Sequence, residues 1–198
     1  MLILNANFLE MKYSIRKNRM LLNFKMIYKS SLLLCLTIFF FTSISISQVL
    51  ETVSTVDLKK YSGKWYEISS FPQRFQKGCN CTTAEYTLTA KAYLIVENRC
   101  KKDSLNGKSL YVKGKVFAEK NTENAKLKVQ FFWPFKGKYW IIDLAPDYSY
   151  AVVGHPNRNY LWILSRTASM DDLLYQEIVS RIETKGYDVS KILKTKQF

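Results

Sequence analysis

The stretch GKWYEI, residues 63–68, decides the fold of this 198-residue chain. Aromatic and β-branched residues follow a glycine here, and residues of these two kinds favour β-strands. We therefore predict a strand over residues 63–69. Trp65 offers a large apolar face, and Gly63 lets a neighbouring chain segment pass close to it.

Beyond this stretch, most of the chain after residue 48 forms short apolar runs that Gly, Pro, Asn and Asp separate. Their spacing suits antiparallel hairpins better than parallel βαβ units. We predict further strands over residues 82–89, 93–99, 110–118, 126–132, 138–145, 150–154 and 160–166. Eight strands close a small barrel with room for one ligand. The predicted fold class is all-β, an eight-stranded antiparallel up-and-down β-barrel.

One helix is predicted after the strands. Its apolar residues recur at helical spacing, with polar residues between them. They are Met170, Leu173, Leu174, Ile178, Val179 and Ile182. Ser169 is the expected N-cap, and Lys185 followed by Gly186 marks the C-terminal end. We expect the helix to pack outside the barrel. The tail over residues 187–198 is expected to add a short strand to an open edge.

The N-terminal part of the chain has the layout of a secretory signal. Residues 31–46 form an uncharged apolar run that follows Lys25 and Lys29 and ends in small residues. We predict cleavage after Ser47, which divides the chain into a signal segment, residues 1–47, with an extended or untranslated beginning, and a domain, residues 48–198. The alternatives are an uncleaved membrane anchor, for which the run is short, and lipid attachment at Cys35.

The chain is basic, with a formal charge of +14. Residues 1–47 hold six of the basic residues and one of the acidic ones, so the remainder carries +9. Its lysines are scattered instead of forming one run, which indicates solvated strand faces and argues against a nucleic-acid partner.

Three cysteines remain after cleavage, and an oxidising compartment favours one disulfide and one free thiol. A tight hairpin through Ala90 and Lys91 would place Cys81 opposite Cys100. A register shift or a bulge would favour Cys79 with Cys100 instead. The sequence leaves both pairings open, with Cys100 as the shared partner.

Residues 63–68 resemble the G-x-W motif of lipocalins, in the variant of the bacterial lipocalin and apolipoprotein D branch. Two further segments, at Asp147-Tyr148 and at Arg166, resemble the second and third lipocalin motifs in the right order. The resemblance covers about residues 56–196. It implies a structural role for Gly63, Trp65 and the residues of the other two motifs at the closed end of the barrel, with Arg166 over the Trp65 ring.

The same resemblance implies a carrier of a small hydrophobic ligand, most simply a fatty acid or (lyso)phospholipid, with no cofactor. The aromatic residues that we expect to contact the ligand are Tyr86, Tyr111, Phe117, Phe131, Trp140 and Tyr150. Arg74 or Lys113 would pair with a charged head group. The protein is expected to be exported to the periplasm or secreted, as a monomer or weak dimer.

The motif FFWPF, residues 131–135, predicts a hairpin loop, and the resemblance implies that this loop lies at the barrel mouth. If exposed, Phe131, Phe132, Trp133 and Phe135 would form an apolar patch suited to membrane contact or dimerisation. If buried, they would plug the barrel rim.

Catalysis and metal binding are not expected. The single histidine, His155, lies in a turn without a nucleophile motif, and the cysteine spacing does not suit zinc. Two alternatives stay open: a secreted protein-binding or inhibitory lipocalin, and an isomerase that uses Cys79 or Cys81 as a reactive thiol.

Overall fold

A computed structural model describes residues 49–91 and 93–197, together with the isolated positions Arg16 and Met20. The predicted signal segment, its cleavage after Ser47 and the alternatives of a membrane anchor or lipidation at Cys35 lie outside this part of the chain. No helix in the described ranges combines the length and apolarity that a bilayer crossing requires.

All eight predicted strands are present, with ends that differ from the predictions by up to three residues. The elements are α1 (Leu58–Tyr61), β1 (Gly63–Ser70), β2 (Cys79–Leu88), β3 (Leu94–Lys102), β4 (Ser109–Ala118), β5 (Lys126–Gln130), β6 (Gly137–Leu144), β7 (Tyr150–Gly154), β8 (Leu161–Ser165), α2 (Asp172–Thr184) and β9 (Leu193–Lys194). Short 3₁₀ turns cover Arg74–Gln76 and Val189–Lys191.

The strands close into an antiparallel barrel. Each of β1 to β7 pairs with the next strand along the chain, and β1 also pairs with β8, which closes the barrel. Because the pairing is up-and-down, the β1–β2, β3–β4, β5–β6 and β7–β8 connections lie at one end, here called the mouth. The opposite end, here called the closed end, carries α1 before β1. The predicted fold class is confirmed.

Two apolar cores lie on opposite faces of the barrel wall. The inner core takes a buried residue from every one of β1 to β8, namely Trp65, Tyr86, Leu94, Val116, Leu127, Ile141, Val153 and Leu164. Only the barrel interior brings all eight strands together. The outer core packs β1, β6, β7 and β8 against the buried face of α2, through residues such as Ile178 and Ile182. Alternation along the strands separates the two cores.

Helix α2 packs outside the barrel as predicted, but its start differs. The N-cap is Asp171, whose carboxylate accepts a hydrogen bond from the Leu174 amide, so the prediction of Ser169 is wrong. Tyr175 belongs to the buried face, whereas Leu173 is exposed. Gly186 ends the helix as expected, with a φ of +82° that favours glycine.

The C-terminal segment, residues 193–197, fills a gap between β1 and β2. These two strands pair only along Gly63–Tyr66. Beyond Tyr66, β9 pairs with Ser69 and Ser70 of β1, and the Cys81 amide of β2 donates to the Lys196 carbonyl. The Gln197 side-chain amide donates to the carbonyls of both Glu67 and Thr82. The tail therefore forms the predicted edge strand and completes the barrel wall towards the mouth.

The disulfide joins Cys79 to Cys100, with 5.4 Å between their Cα atoms. The β2–β3 register is one residue away from the predicted tight hairpin, since Leu88 pairs with Leu94 across a longer turn. An irregularity between Asn80 and Thr83, where Cys81 has a φ of +48°, shifts the register again. Of the two pairings that the sequence left open, the structure selects the one that a bulge favours, and Cys81 is the free cysteine.

Candidate ligand site

Arg166 and Trp65 close one end of the barrel. The guanidinium carbon of Arg166 lies 3.7 Å from the centre of the Trp65 ring. The guanidinium also donates to the backbone carbonyls of Lys60, Tyr61, Ser62, Lys64 and Tyr148. A charged donor with this many acceptors ties α1, β1 and the β6–β7 connection together.

The remaining motif residues support this closed end. Gly63 adopts a φ of +96°, and a Cβ atom there would lie 3.3 Å from the Arg166 guanidinium. Tyr148 lies in the β6–β7 turn, where its hydroxyl accepts a hydrogen bond from the Asp57 amide. The Asp147 carboxylate accepts from the Ser149 amide and so fixes the same turn. These contacts are structural, and they lie at the far end of the barrel from the mouth.

The inner face changes from buried at the closed end to accessible towards the mouth. On six strands, an inner residue is fully buried while the inner residue nearer the mouth is only half-buried. The half-buried residues are Ala84, Asn98, Val112, Val129, Tyr139 and Trp162, and their buried neighbours are Tyr86, Val96, Val116, Leu127, Ile141 and Leu164. Inner-face atoms can be reached only through the barrel itself. The inner face is therefore more tightly packed at the closed end than at these six positions, and the interior at their level is here called the hollow part of the barrel.

Three tyrosines form the floor of the hollow part. The Tyr86 hydroxyl donates to the Tyr139 hydroxyl at 2.8 Å, and the hydroxyls of Tyr139 and Tyr61 are also 2.8 Å apart. Burial raises the pKa of Tyr86 to about 12 and raises the pKa values of Tyr61 and Tyr139 well above 10. All three phenols stay neutral and able to donate at any physiological pH.

A second polar group lies nearer the mouth. The buried Glu67 carboxylate accepts hydrogen bonds from Ser70, from the Gln76 amide at 2.8 Å and from Thr195 at 2.7 Å. The Gln76 oxygen in turn accepts from the Trp162 indole at 3.1 Å. This network connects the β1–β2 loop, β8 and the C-terminal segment, so it holds the mouth together on that side.

The structure divides the predicted ligand residues between the two faces of the wall. Tyr86 and Phe131 belong to the inner core. The other aromatic candidates and the predicted lysine lie on the outer face and do not line the interior, which corrects the prediction for Tyr111, Phe117, Trp140, Tyr150 and Lys113.

The outward residues have partners of their own. Lys113 and Tyr111 both contact Glu97, and together with Arg99 they lower the pKa of that half-buried carboxyl to about 2. The Tyr150 hydroxyl accepts a hydrogen bond from Arg181 of α2.

The remaining two outward aromatics pack under lysine side chains. Phe117 lies 4.2 Å from the Lys136 ammonium, and Trp140 lies 4.4 Å from that of Lys126. On this wall the charged residues mark the solvent face. The alternation of Lys126 and Lys128 with Leu127 and Val129 would have shown from sequence which residues point inward.

Arg74 lies at the mouth. It is exposed on the 3₁₀ turn of the β1–β2 loop and lines a cleft of about 530 Å³ between this loop and the C-terminal segment. Lys77, Lys194 and Lys196 line the same cleft, opposite Glu67.

The FFWPF motif forms the β5–β6 loop at the mouth. Phe131 packs against the inner core, whereas Phe132, Trp133 and Phe135 are 73%, 86% and 78% exposed. Phe75 of the β1–β2 loop, at the same end, is 71% exposed. The sequence allowed either an exposed patch or a plug of the barrel rim. Three of the four aromatic residues of the motif form an exposed patch, and the fourth, Phe131, packs inward.

The residues considered for catalysis lie apart from the hollow interior. His155 occupies the β7–β8 turn, where its ring contacts Asn157. The Cys81 thiol donates to the Gln197 carbonyl at 2.8 Å, within the seam that the C-terminal segment closes. No cluster with the makings of a metal site occurs among the described residues.

Comparison with known proteins identifies the family. The family of Lipocalin-like domains matches residues 56–197, which is most of the chain. The chain belongs to the lipocalin family. Among its relatives, this lipocalin is 41% identical over 157 residues to temperature-induced lipocalin-1 of Arabidopsis thaliana, covering 75% of this chain and 83% of that protein.

Two further relatives belong to the branch that the motifs suggested. The outer membrane lipoprotein Blc of Escherichia coli K12 is 39% identical, covering 73% of this lipocalin and 81% of that protein. Apolipoprotein D of Mus musculus is 36% identical, covering 71% and 77%.

Solved structures agree with the fold. Insecticyanin from the tobacco hornworm Manduca sexta superposes with a TM-score of 0.61 at 22% identity, covering 75% of this lipocalin and 84% of insecticyanin. Lobster apocrustacyanin A1 gives 0.58 at 20% identity, covering 79% and 94%. At these identities the likeness concerns the barrel fold alone.

Proposed function

We propose that this lipocalin is an exported, non-enzymatic carrier that holds a fatty acid or (lyso)phospholipid in the mouth half of its barrel. The observation that carries the proposal is the change along the inner face from fully buried residues at the floor to accessible ones nearer the mouth. A pocket with mostly apolar walls and a few polar groups is typical of sites for small hydrophobic molecules.

The head group of such a ligand would remain at the mouth. Arg74, Lys77, Lys194 and Lys196 provide positive charge around the cleft beside the β1–β2 loop. Cationic side chains there can pair with a carboxylate or phosphate that stays in contact with water, while the acyl chain enters the barrel.

A cavity-filling variant tests the carrier proposal. Val129→Trp places a large ring on the inner face, and Gln130→Trp places the same ring on the next residue, which points outward. We expect Val129→Trp to weaken binding of the fluorescent fatty acid cis-parinaric acid by about tenfold or more, since it fills the volume that the chain occupies. Equal binding by both variants, or none by the unmodified protein, would contradict the proposal.

The exposed aromatic loop would bring the mouth to a membrane surface. Phe132, Trp133 and Phe135 extend from the same end through which the ligand enters, and aromatic side chains of this kind partition into the lipid interface. The names of two relatives, outer membrane lipoprotein Blc and apolipoprotein D, fit an exported or membrane-associated protein.

Liposome sedimentation tests this part of the proposal. The double variant Phe132→Ser and Trp133→Ser should bind phosphatidylglycerol-containing vesicles more weakly than the unmodified protein. Leu173→Ser removes a comparably exposed apolar residue from α2 and is the matched control. If only self-association changes in the double variant, the loop is a dimer contact and the membrane interpretation is wrong.

A further inference from the structure

The tyrosine floor contains one more hydroxyl hydrogen than it can use internally. Tyr61, Tyr86 and Tyr139 supply three O–H groups, and the two hydrogen bonds among them consume two hydrogens. Tyr86 donates to Tyr139, so the remaining hydrogen belongs either to Tyr61 or to Tyr139. A buried donor without an acceptor is unfavourable, so this hydrogen needs an acceptor from elsewhere.

Residue exposure favours Tyr139 over Tyr61 as the group with the spare hydrogen. Tyr61 is completely buried and has no accessible surface. Tyr139 lies on the inner face towards the mouth and keeps accessible surface. When Tyr61 and Tyr86 both donate to Tyr139, their hydrogens are satisfied and the hydrogen of Tyr139 points to the hollow part of the barrel. The phenol can accept twice and donate once.

The surroundings select the acceptor by charge. The inner-face positions around Tyr139 are uncharged, and the nearby Arg166 guanidinium donates to five backbone carbonyls. These uncharged positions are Ala84, Asn98, Val112, Val129 and Trp162. A carboxylate or phosphate at the floor would lose its hydration without gaining a counter-charge. A neutral oxygen, such as a hydroxyl, ketone or ester carbonyl, loses much less and supplies the missing acceptor.

We propose that the Tyr139 hydroxyl is a ligand-recognition group that donates a hydrogen bond to a neutral oxygen at the inserted end of the ligand. The inference rests on the proposed function and narrows it. The preferred ligand has an anionic head at the mouth and an oxygen-bearing far end, in contrast to a chain that ends in a methyl group.

Matched ligand pairs test the proposal. Hexadecanoic acid and ω-hydroxyhexadecanoic acid differ only at the inserted end, and the pairs two carbons shorter and longer allow for the depth of the barrel. Competition against cis-parinaric acid gives the ratio of the two affinities for each pair. Replacing Tyr139 by Phe should shift that ratio against the hydroxylated ligand by about tenfold, because its hydroxyl then lacks a buried partner.

Two further variants make the result specific. Tyr111→Phe removes a tyrosine hydroxyl from the outer face and should leave the ratio unchanged. Tyr86→Phe removes a hydroxyl that only donates to Tyr139, so its effect on the ratio should be much smaller than that of Tyr139→Phe. If the ligands bind and the ratio is the same in Tyr139→Phe, this inference is overturned while the carrier function stands. If neither ligand of any pair displaces the probe, the carrier function itself is overturned.

Discussion

Arg166 illustrates how one side chain can hold one end of a barrel. It combines contact with the Trp65 ring and hydrogen bonds to five carbonyls from α1, β1 and the β6–β7 turn. The planar fork of arginine can serve several acceptors at once, whereas lysine offers a single compact ammonium. Arginine is therefore required at this position for the geometry of its donors as much as for its charge.

We expect Arg166→Lys to lower the free energy of unfolding by about 2–3 kcal/mol, since most of the carbonyl acceptors would lose a charged donor. Urea denaturation measures the difference. Arg99→Lys is the control, because Arg99 is exposed and contacts two carboxylates and the Tyr111 ring on the solvent face, and it should change stability by no more than about 0.5 kcal/mol. Equal effects of the two substitutions would contradict the structural role given to Arg166.

The buried tyrosines predict a loss of stability in strong alkali. The pKa of Tyr86 is raised from 10.0 to about 12 in the folded protein, so the unfolded chain loses that proton first as the pH rises. The stabilisation is complete below pH 10 and declines between pH 10 and about pH 12. Unfolding free energies measured across this window should fall more steeply for the unmodified protein than for Tyr86→Phe. Parallel slopes would show that Tyr86 titrates normally.

At the scale of the elements, short apolar runs between turn residues were sufficient to predict all eight barrel strands, and the helical spacing of apolar residues predicted the outer helix. Which side of each strand faces inward was harder to predict. Along β4, aromatic and aliphatic residues occur on both faces, so Tyr111 and Phe117 were as apolar as their inner neighbours Val112 and Val116. The signal that separates the two sets is the pair Lys113 and Lys115, which share a face with Tyr111 and Phe117 and mark it as the solvent face, as the register with β3 and β5 confirms.

Predicting the candidate ligand site also required the register of the strands. Tyr86 was named as a candidate from sequence, but Tyr61 and Tyr139 were not, because the three meet only when the barrel closes. The N-cap of α2 was also misassigned, since Ser169 and Asp171 are both good caps and the sequence does not show which of them starts the helix.

The C-terminal segment provides a test at this scale. Gln197 is buried, and its amide bridges β1 and β2 by donating to the carbonyls of Glu67 and Thr82. Gln197→Ala should lower the unfolding free energy by about 1–3 kcal/mol, because two buried carbonyls would lose their donor. Lys191→Ala, at an exposed position nearby, is the control. If thermal or urea unfolding does not distinguish the two variants, the segment does not contribute to closing the wall.

At the scale of the whole molecule, the predicted export can be tested together with the disulfide and the bound ligand. Protein produced with its own N-terminal segment and recovered after export should begin at Gln48, contain the disulfide between Cys79 and Cys100, and have one free thiol at Cys81. Native mass spectrometry with lipid extraction measures all of these together with any bound molecule. Intact protein that starts at Met1 would contradict the cleavage, and an empty barrel that takes up no lipid probe would contradict the carrier.

Closure of the barrel through β1 also determines when the protein can fold. Tyr66 pairs with Ser165, and the Ile68 carbonyl accepts a hydrogen bond from the amide of Thr195. The first strand therefore has partners near the end of the chain. Pairings this distant in sequence make folding slow. A partly synthesised chain lacks them altogether, so the barrel cannot close before the C-terminal segment has been made. The order of the strands would thus keep an exported chain unfolded until its last residues have been made.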